Sequence, residues 1–372
     1  MSIARIASAL RTSAKKTSQP CLNKRFFNTR SKHLHRTEPK EPNFSTNPYK
    51  EAMDRFKDQA KMVGKMTGYT ILSMTTAIAF VWQSSHWYIE YVMHPTPSEL
   101  GYQARNLLHG AYIRESIAPD FEVASFYVRE ALRIALEEKH LPESSPTVIE
   151  LRLRLAHDEA HAGNLLEAIT EYTRAWKLML DVHEQSVRLI QAAKHVGDLY
   201  LRIGDFAHAE EFLAWSLHHV QDQPLLKSKI TLNLASLYAM QRNFKLALPL
   251  LSQSLQSVPD EDVCLKAIVQ NQLSEVMYAL GKTDEAMGWA QAALESCAQN
   301  VKDQDCLQCG GVASNNLGKM LEMKAEFEKA LEHYNQAVTY SMSVHDSESH
   351  DRYVLNAERL KDFLASKQLE EN

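Results

Sequence analysis

The chain has 372 residues, of which 45% are apolar and 23% charged, a balance that excludes a disordered polymer and allows one large or two ordinary domains. Only 12 Gly and 12 Pro are spread over that length, too little turn chemistry for a hairpin-rich sheet protein, so an all-α fold is expected. The net charge of −5 hides an asymmetry: residues 1–37 carry nine Lys or Arg and no acid, leaving 32 of the 41 basic residues against all 46 acidic ones, a body unsuited to nucleic acid.

The chain opens with MSIARIASALRTSAKK, which as a helix gathers Ile3, Ile6, Ala7 and Leu10 on one face beside Arg5, Arg11, Lys15 and Lys16. Such an Arg- and Ser-rich, acid-free amphipathic start is the composition of a mitochondrial presequence, expected over 1–37. A polar, basic linker on the matrix side is expected over 38–65. From Met66 to Ile89 no Asp, Glu, Lys or Arg occurs. As a helix those residues reach roughly 36 Å, so a single transmembrane helix is expected over 66–90, with Trp82, Trp87, Tyr88 and Tyr91 toward one interface. The basic excess precedes the span, which keeps the N-terminus in the matrix and puts the rest of the chain in the intermembrane space.

Beyond it, one pattern recurs six times. Tyr112, Ala156, Gly197, Ala235, Ser274 and Gly318 are each followed twelve residues later by an alanine: Ala124, Ala168, Ala209, Ala247, Ala286 and Ala330. Seven further on stand Ala131, Ala175, Ser216, Ser254, Ala293 and Ala337. Antiparallel helices can cross closely only where side chains are small, so this spacing predicts stacked helical hairpins with Leu155, Tyr172, Leu213, Leu251, Leu273, Leu317 and Tyr334 filling the space around each crossing. Tyr112 breaks the rule in the first copy. The pattern, clearest in GDLYLRIGDFAHAEEFL, resembles the tetratricopeptide repeat over about 99–345, with intervals of 44, 41, 38, 39 and 44 in place of the family's 34. Residues 351–372, with Leu355, Leu360 and Leu364 among charges, read as the capping helix a solenoid end requires.

The resemblance implies a binding groove lined by the first helix of each hairpin. Its inward positions fall on His157, His161, Lys194, Asp198, Leu201, Arg202, Lys229, Asn271, Glu275, Tyr278, Asn315, Lys319 and Glu322. His157 and His161 in HDEAH share a helix face but lack the order of a zinc protease, and no phosphate-binding or nucleophile motif occurs, so neither metal, cofactor nor catalysis is expected. Cys297, Cys306 and Cys309 lie in the connection between the last two copies. In an oxidising compartment a bridge from Cys297 to Cys306 or Cys309 would close a loop of about ten residues and contribute roughly 2 to 3 kcal/mol. Free thiols, zinc binding with Cys264, and a redox pair at C-x-x-C are the competing readings of these cysteines.

The order of presequence, span and solenoid, the join HPTPSELGYQARNLLHGAYIRE and the Cys-containing lead-in to VASNNLG resemble the fungal mitochondrial inner-membrane adaptors of the i-AAA protease. That resemblance implies an adaptor without chemistry of its own, which hands unfolded or membrane-protein substrates to the AAA protease together with a co-adaptor. A respiratory-complex assembly factor and an intermembrane-space thiol oxidoreductase are the alternatives.

Overall fold

The computed structural model describes residues 47–183, 186–344 and 347–371. The presequence expected over 1–37 lies outside them. The described residues form helices: α1 Pro48–Tyr88, α2 Gly101–Ser116, α3 Phe121–Arg133, α4 Pro146–Ala162, α5 Leu165–Asp181, α6 Val187–Ile203, α7 Phe206–His219, α8 Pro224–Met240, α9 Phe244–Ser257, α10 Val263–Ala279, α11 Thr283–Cys297, α12 Gln304–Met323, α13 Phe327–Val344 and α14 Ser347–Glu371. The chain divides into two units at the Ile78/Ala79 junction within α1.

Two expectations about this N-terminal region are corrected. The helix begins at Pro48, so most of the stretch read as a linker is helical. Among the described residues no helix is long and apolar enough to cross a membrane. Length is not what fails, since α1 runs for 41 residues. Thr, Ser, Gln and His dilute the charge-free stretch, and its hydroxyls turn back on their own helix: Thr70 onto the Met66 carbonyl at 2.9 Å, Thr76 onto Leu72 at 2.7 Å and Ser85 onto Val81 at 2.7 Å.

In the second unit, the residues following α1 are tied to α2 by a buried polar cluster built from the join seen in the sequence. Glu90 accepts hydrogen bonds from the Thr96 hydroxyl (2.6 Å) and His109 Nε2 (2.9 Å), and Arg105 stands 3.3 Å from its other oxygen. Burial works against the Glu90 charge, but the bonds from Thr96 and His109 and the Arg105 charge outweigh it and hold the carboxyl below its ordinary range. The second nitrogen of His109 meets His86 Nδ1 at 2.7 Å, so one ring must accept where the other donates.

The rest is six hairpins in series, α2/α3 through α12/α13, closed by α14. Every alanine of the second slot, and every Ala or Ser of the third, is fully buried. In the first copy Tyr112 is only half-buried and Ala111 beside it is fully buried, because the turn after α2 is longer and shifts the small position back by one residue. Turns between paired helices carry Gly163, Gly204 and Gly281 at positive φ; Arg242 and Ala325 take the same left-handed geometry in the fourth and sixth hairpins. Asp120, Ser145, Asp205, Asp262 and Asp303 cap helix starts by accepting from backbone N–H groups. At the far end Leu360 is fully buried and Leu364 packs beside it, whereas Leu355 faces solvent.

Gly197 shows how little room the crossings leave. A Cβ there would lie 2.7 Å from Leu213 Cγ and 3.3 Å from the Ala209 carbonyl oxygen, and Leu213 is fully buried with no space to withdraw. Replacing a mid-helix glycine normally gains up to about 1 kcal/mol; here the clash reverses the sign. Gly197→Val is expected to destabilise the chain by about 2 to 3 kcal/mol, read as a lower urea midpoint with an unchanged slope.

Candidate functional site

The first helices α4, α6, α8, α10 and α12, followed by α14, supply most of the residues that line the cavities. One of about 340 Å³ is lined by His94, Glu115, Arg154, His157, Tyr172 and His195 among others. A run of adjoining cavities then follows from α8 to α14: about 470 Å³ between α8 and α10, about 120 and 220 Å³ between α10 and α12, and about 660 Å³ between α12 and α14.

The N-terminal cavity is chemically quiet. His157 and His161 come together as their spacing implies, ring centroids 4.2 Å apart beside Phe121, but His161 Nδ1 donates to the His157 carbonyl and is thereby occupied. His195 stacks on Tyr172 with centroids 5.2 Å apart, and burial together with the Lys194 charge pushes it down to about 4, so it is neutral near pH 7. Below them Asp158 is fully buried, with one oxygen 3.3 Å from His157 Nδ1 and the other without a partner. Burial raises its carboxyl above the ordinary range. Among the described residues no group of three or more Cys, His, Asp or Glu is arranged to hold a metal ion.

Other expected groove residues separate. Lys194 and Asp198 pair with each other, and Asp198 also accepts from Asn233, so this charge is satisfied internally. Leu201 packs into the cluster around Ala209 and Leu213 and belongs to the core, while Arg202 and Lys229 are exposed and line none of these cavities.

The C-terminal half is where the expectation converges. Glu275 and Tyr278 on α10 share one cavity with Lys319 on α12, Asn271 and Glu275 line the one of about 220 Å³, and Asn315, Lys319 and Glu322 line the one toward α14. Asn271 and Asn316 each donate to Glu275 Oε1 at 3.0 Å. Asn315 accepts from Asn356 on α14 at 2.8 Å, Tyr278 donates to Met323 Sδ at 2.7 Å, and Glu322 is clamped by both Arg359 nitrogens at 2.7 Å and by the Tyr334 hydroxyl at 2.8 Å. Those Arg359 bonds hold Glu322 below the ordinary carboxylate range. Loss of solvent instead raises Glu275, only partly offset by the two amide donations. The sequence pattern missed Asn316, Gln272, Asn356 and Arg359. Asn316 could have been found from Asn315 by allowing for the one-residue offset with which adjacent helices meet.

The expected cysteine bridge is also corrected. Cys264 in the first turn of α10 is joined to Cys306 in the first turn of α12, with Cα atoms 4.9 Å apart. Parallel neighbours meet at corresponding turns, and the caps Asp262 and Asp303 fix those turns, whereas Cys297 at the end of α11 reaches the next turn, at Cys309. Cys297 and Cys309 are buried thiols. The Cys309 S–H donates to the Cys297 sulfur, which lowers Cys297 and raises Cys309. The two cysteines of C-x-x-C are therefore divided between a cross-repeat staple and a buried thiol pair, an arrangement unlike a redox dithiol.

No family model matches the chain and no curated protein matches its sequence. Among solved structures, it is similar to a Rap protein complexed with Competence and Sporulation Factor, at 16% identity and TM-score 0.54 over 76% of this chain and 81% of that one. Aspartyl phosphate phosphatase F from Bacillus subtilis follows at 11% and 0.51 over 70% of each chain. The Cut9–Hcn1 hetero-tetramer of the APC/C matches at 16% and 0.50, over 75% of this chain and 45% of that one. The fold is a tetratricopeptide-type solenoid. At such identities the likeness concerns the fold, and what the solenoid binds must be argued from its own residues.

Two outcomes follow for the solenoid. Reduction, or Cys264→Ser, opens a loop spanning a sequence separation of 42 and is expected to lower stability by about 4 kcal/mol on the chain-entropy model; the variant's urea midpoint should no longer respond to dithiothreitol. Asp158→Asn removes a buried charge whose folded pKa lies above its unfolded value. Such a group destabilises the fold at neutral pH, and that penalty fades as pH falls toward the unfolded value. The variant should exceed wild type by about 1 to 3 kcal/mol at pH 8, the gap in urea midpoint closing as pH falls toward 4.

Proposed function

We propose that the solenoid is a protein-binding adaptor whose groove from α8 to α14 receives an extended segment of a partner polypeptide. The observation that carries this is the row of carboxamides along adjoining cavities: Gln272 and Asn271 on α10, Asn315 and Asn316 on α12, Asn356 on α14. A carboxamide both donates and accepts, so such a row matches the alternating N–H and C=O groups of any extended backbone without demanding one sequence. Apolar patches at Met240, Phe244, Met323 and Phe327 lie beside the amides and suit side chains that a folded protein would hide.

The finer reading follows the resemblance of the whole chain: an adaptor at the mitochondrial inner membrane, facing the intermembrane space, that presents unfolded or membrane-protein substrates to the i-AAA protease. Its support is the acid-free composition of residues 1–37 and the join around Glu90. A staple between Cys264 and Cys306 suits a compartment that permits disulfides.

Two measurements test the two levels. A reduced, carboxymethylated and therefore permanently unfolded protein should bind the purified chain in fluorescence anisotropy, and Asn316→Leu should weaken that binding up to about tenfold, the loss of one neutral hydrogen bond; equal affinity for both chains would refute the groove. Affinity purification from digitonin-solubilised mitochondria should recover the AAA protease. Recovery of respiratory-complex intermediates without it would refute the i-AAA assignment.

A further inference from the structure

We infer that the groove contains a subsite for a cationic side chain, a lysine or arginine of the bound segment, centred on Glu275. The inference rests on the reading of the groove as a polypeptide site and names the chemistry it selects.

Glu275 stands where three of the cavities meet, those of about 470, 120 and 220 Å³. Both recorded hydrogen bonds go to Oε1, from Asn271 and Asn316. They fix the carboxylate in place through one oxygen, and Oε2 makes no hydrogen bond among the described residues. Neutral amides orient the group without cancelling its charge.

Its neighbours are treated differently. Glu322 is held by Arg359, Asp198 by Lys194 and Glu115 by Arg154, the last at 2.7 Å. No Lys, Arg or His side chain among the described residues lies within 4.0 Å of Glu275. Lys319 and Arg242 border two of the cavities, but Lys319 acts on Glu322 and neither pairs with Glu275. Glu275 is open to solvent and has no cation beside it, so its charge is free to meet a cation arriving from outside.

The chamber of about 220 Å³ sets the shape of that cation. Asp305 adds a second carboxylate to its wall, Gln272 and Gln308 add amides, and Ile268 and Val312 supply apolar edges; it is bordered by no basic residue. A long methylene stem against the apolar edges with a charged head at Glu275 is the form of a lysine or arginine side chain. An acidic side chain would meet two like charges.

The test uses the full-length chain and pools of short random peptides that differ only in a fixed central residue, Lys, Arg, Leu or Glu, with binding read by fluorescence anisotropy. Lys- and Arg-centred pools are expected to bind wild type about tenfold more tightly than Leu-centred ones, and Glu-centred pools more weakly still. Glu275→Gln, which keeps the amide bonds and the shape, should bring the Lys-, Arg- and Leu-centred pools to within about twofold of one another. Binding of all pools without charge preference, or a preference that persists in Glu275→Gln, overturns the subsite and leaves the peptide groove standing. Absence of binding by every pool overturns both.

Discussion

Everything in the solenoid depends on the distance at which paired helices cross. That distance is set by positions where a side chain larger than Ala, Ser or Gly has nowhere to go: Ala124, Ala168, Ala209, Ala247, Ala286 and Ala330 are all fully buried. Close crossing lets Leu213, Leu251 and Tyr334 reach across and fill the space at crystal-like density, which holds each hairpin rigid within the stack. The penalty for a single extra methyl at Gly197 or Gly318, where Leu213 and Tyr334 stand under 3.0 Å from an added Cβ, follows from the same constraint.

Rigid hairpins make the groove possible by fixing the offset between successive first helices. Asn316 reaches Glu275 across α10 and α12, and Arg359 reaches Glu322 across α12 and α14, only because these helices repeat their spacing. The Cys264–Cys306 bridge sits at the start of that same α10/α12 pair. It locks the interval at which Asn271, Glu275 and Asn316 meet, so the covalent staple and the polar centre of the groove belong to one structural unit. What looks from spacing like a self-contained cysteine motif is a device acting between repeats.

Local periodicity is visible in a sequence, whereas offsets between elements are not. The alanine slots, the six hairpins and the final helix were legible because each is set by contacts within about 20 residues, the range over which helical periodicity holds. Tyr112 misled because a longer turn moved the small position to Ala111. The bridge was misassigned since nearness in sequence favours Cys297, and only the parallel packing of α10 on α12 brings Cys264 to Cys306. The span expected over 66–90 rested on the absence of charge; the hydroxyls of Thr70, Thr76 and Ser85 show that an uncharged helix need not be an apolar one. The sequence could not tell which of the expected groove residues the fold had already spent on internal partners, such as Lys194 and Asp198.

That last distinction carries the functional weight. A solenoid exposes many polar side chains along its first helices, and most are neutralised by the fold: Arg154 by Glu115, Lys194 by Asp198, Arg359 by Glu322. Satisfied pairs contribute little to recognition, since a partner would have to break them before using either charge. What remains available is the carboxamide row and Glu275, groups positioned by hydrogen bonds but not neutralised by them. Backbone-directed amides would confer tolerance of sequence, and an uncompensated carboxylate a bias. On these two features rest the proposed acceptance of many extended segments and the proposed preference for a basic side chain at one register.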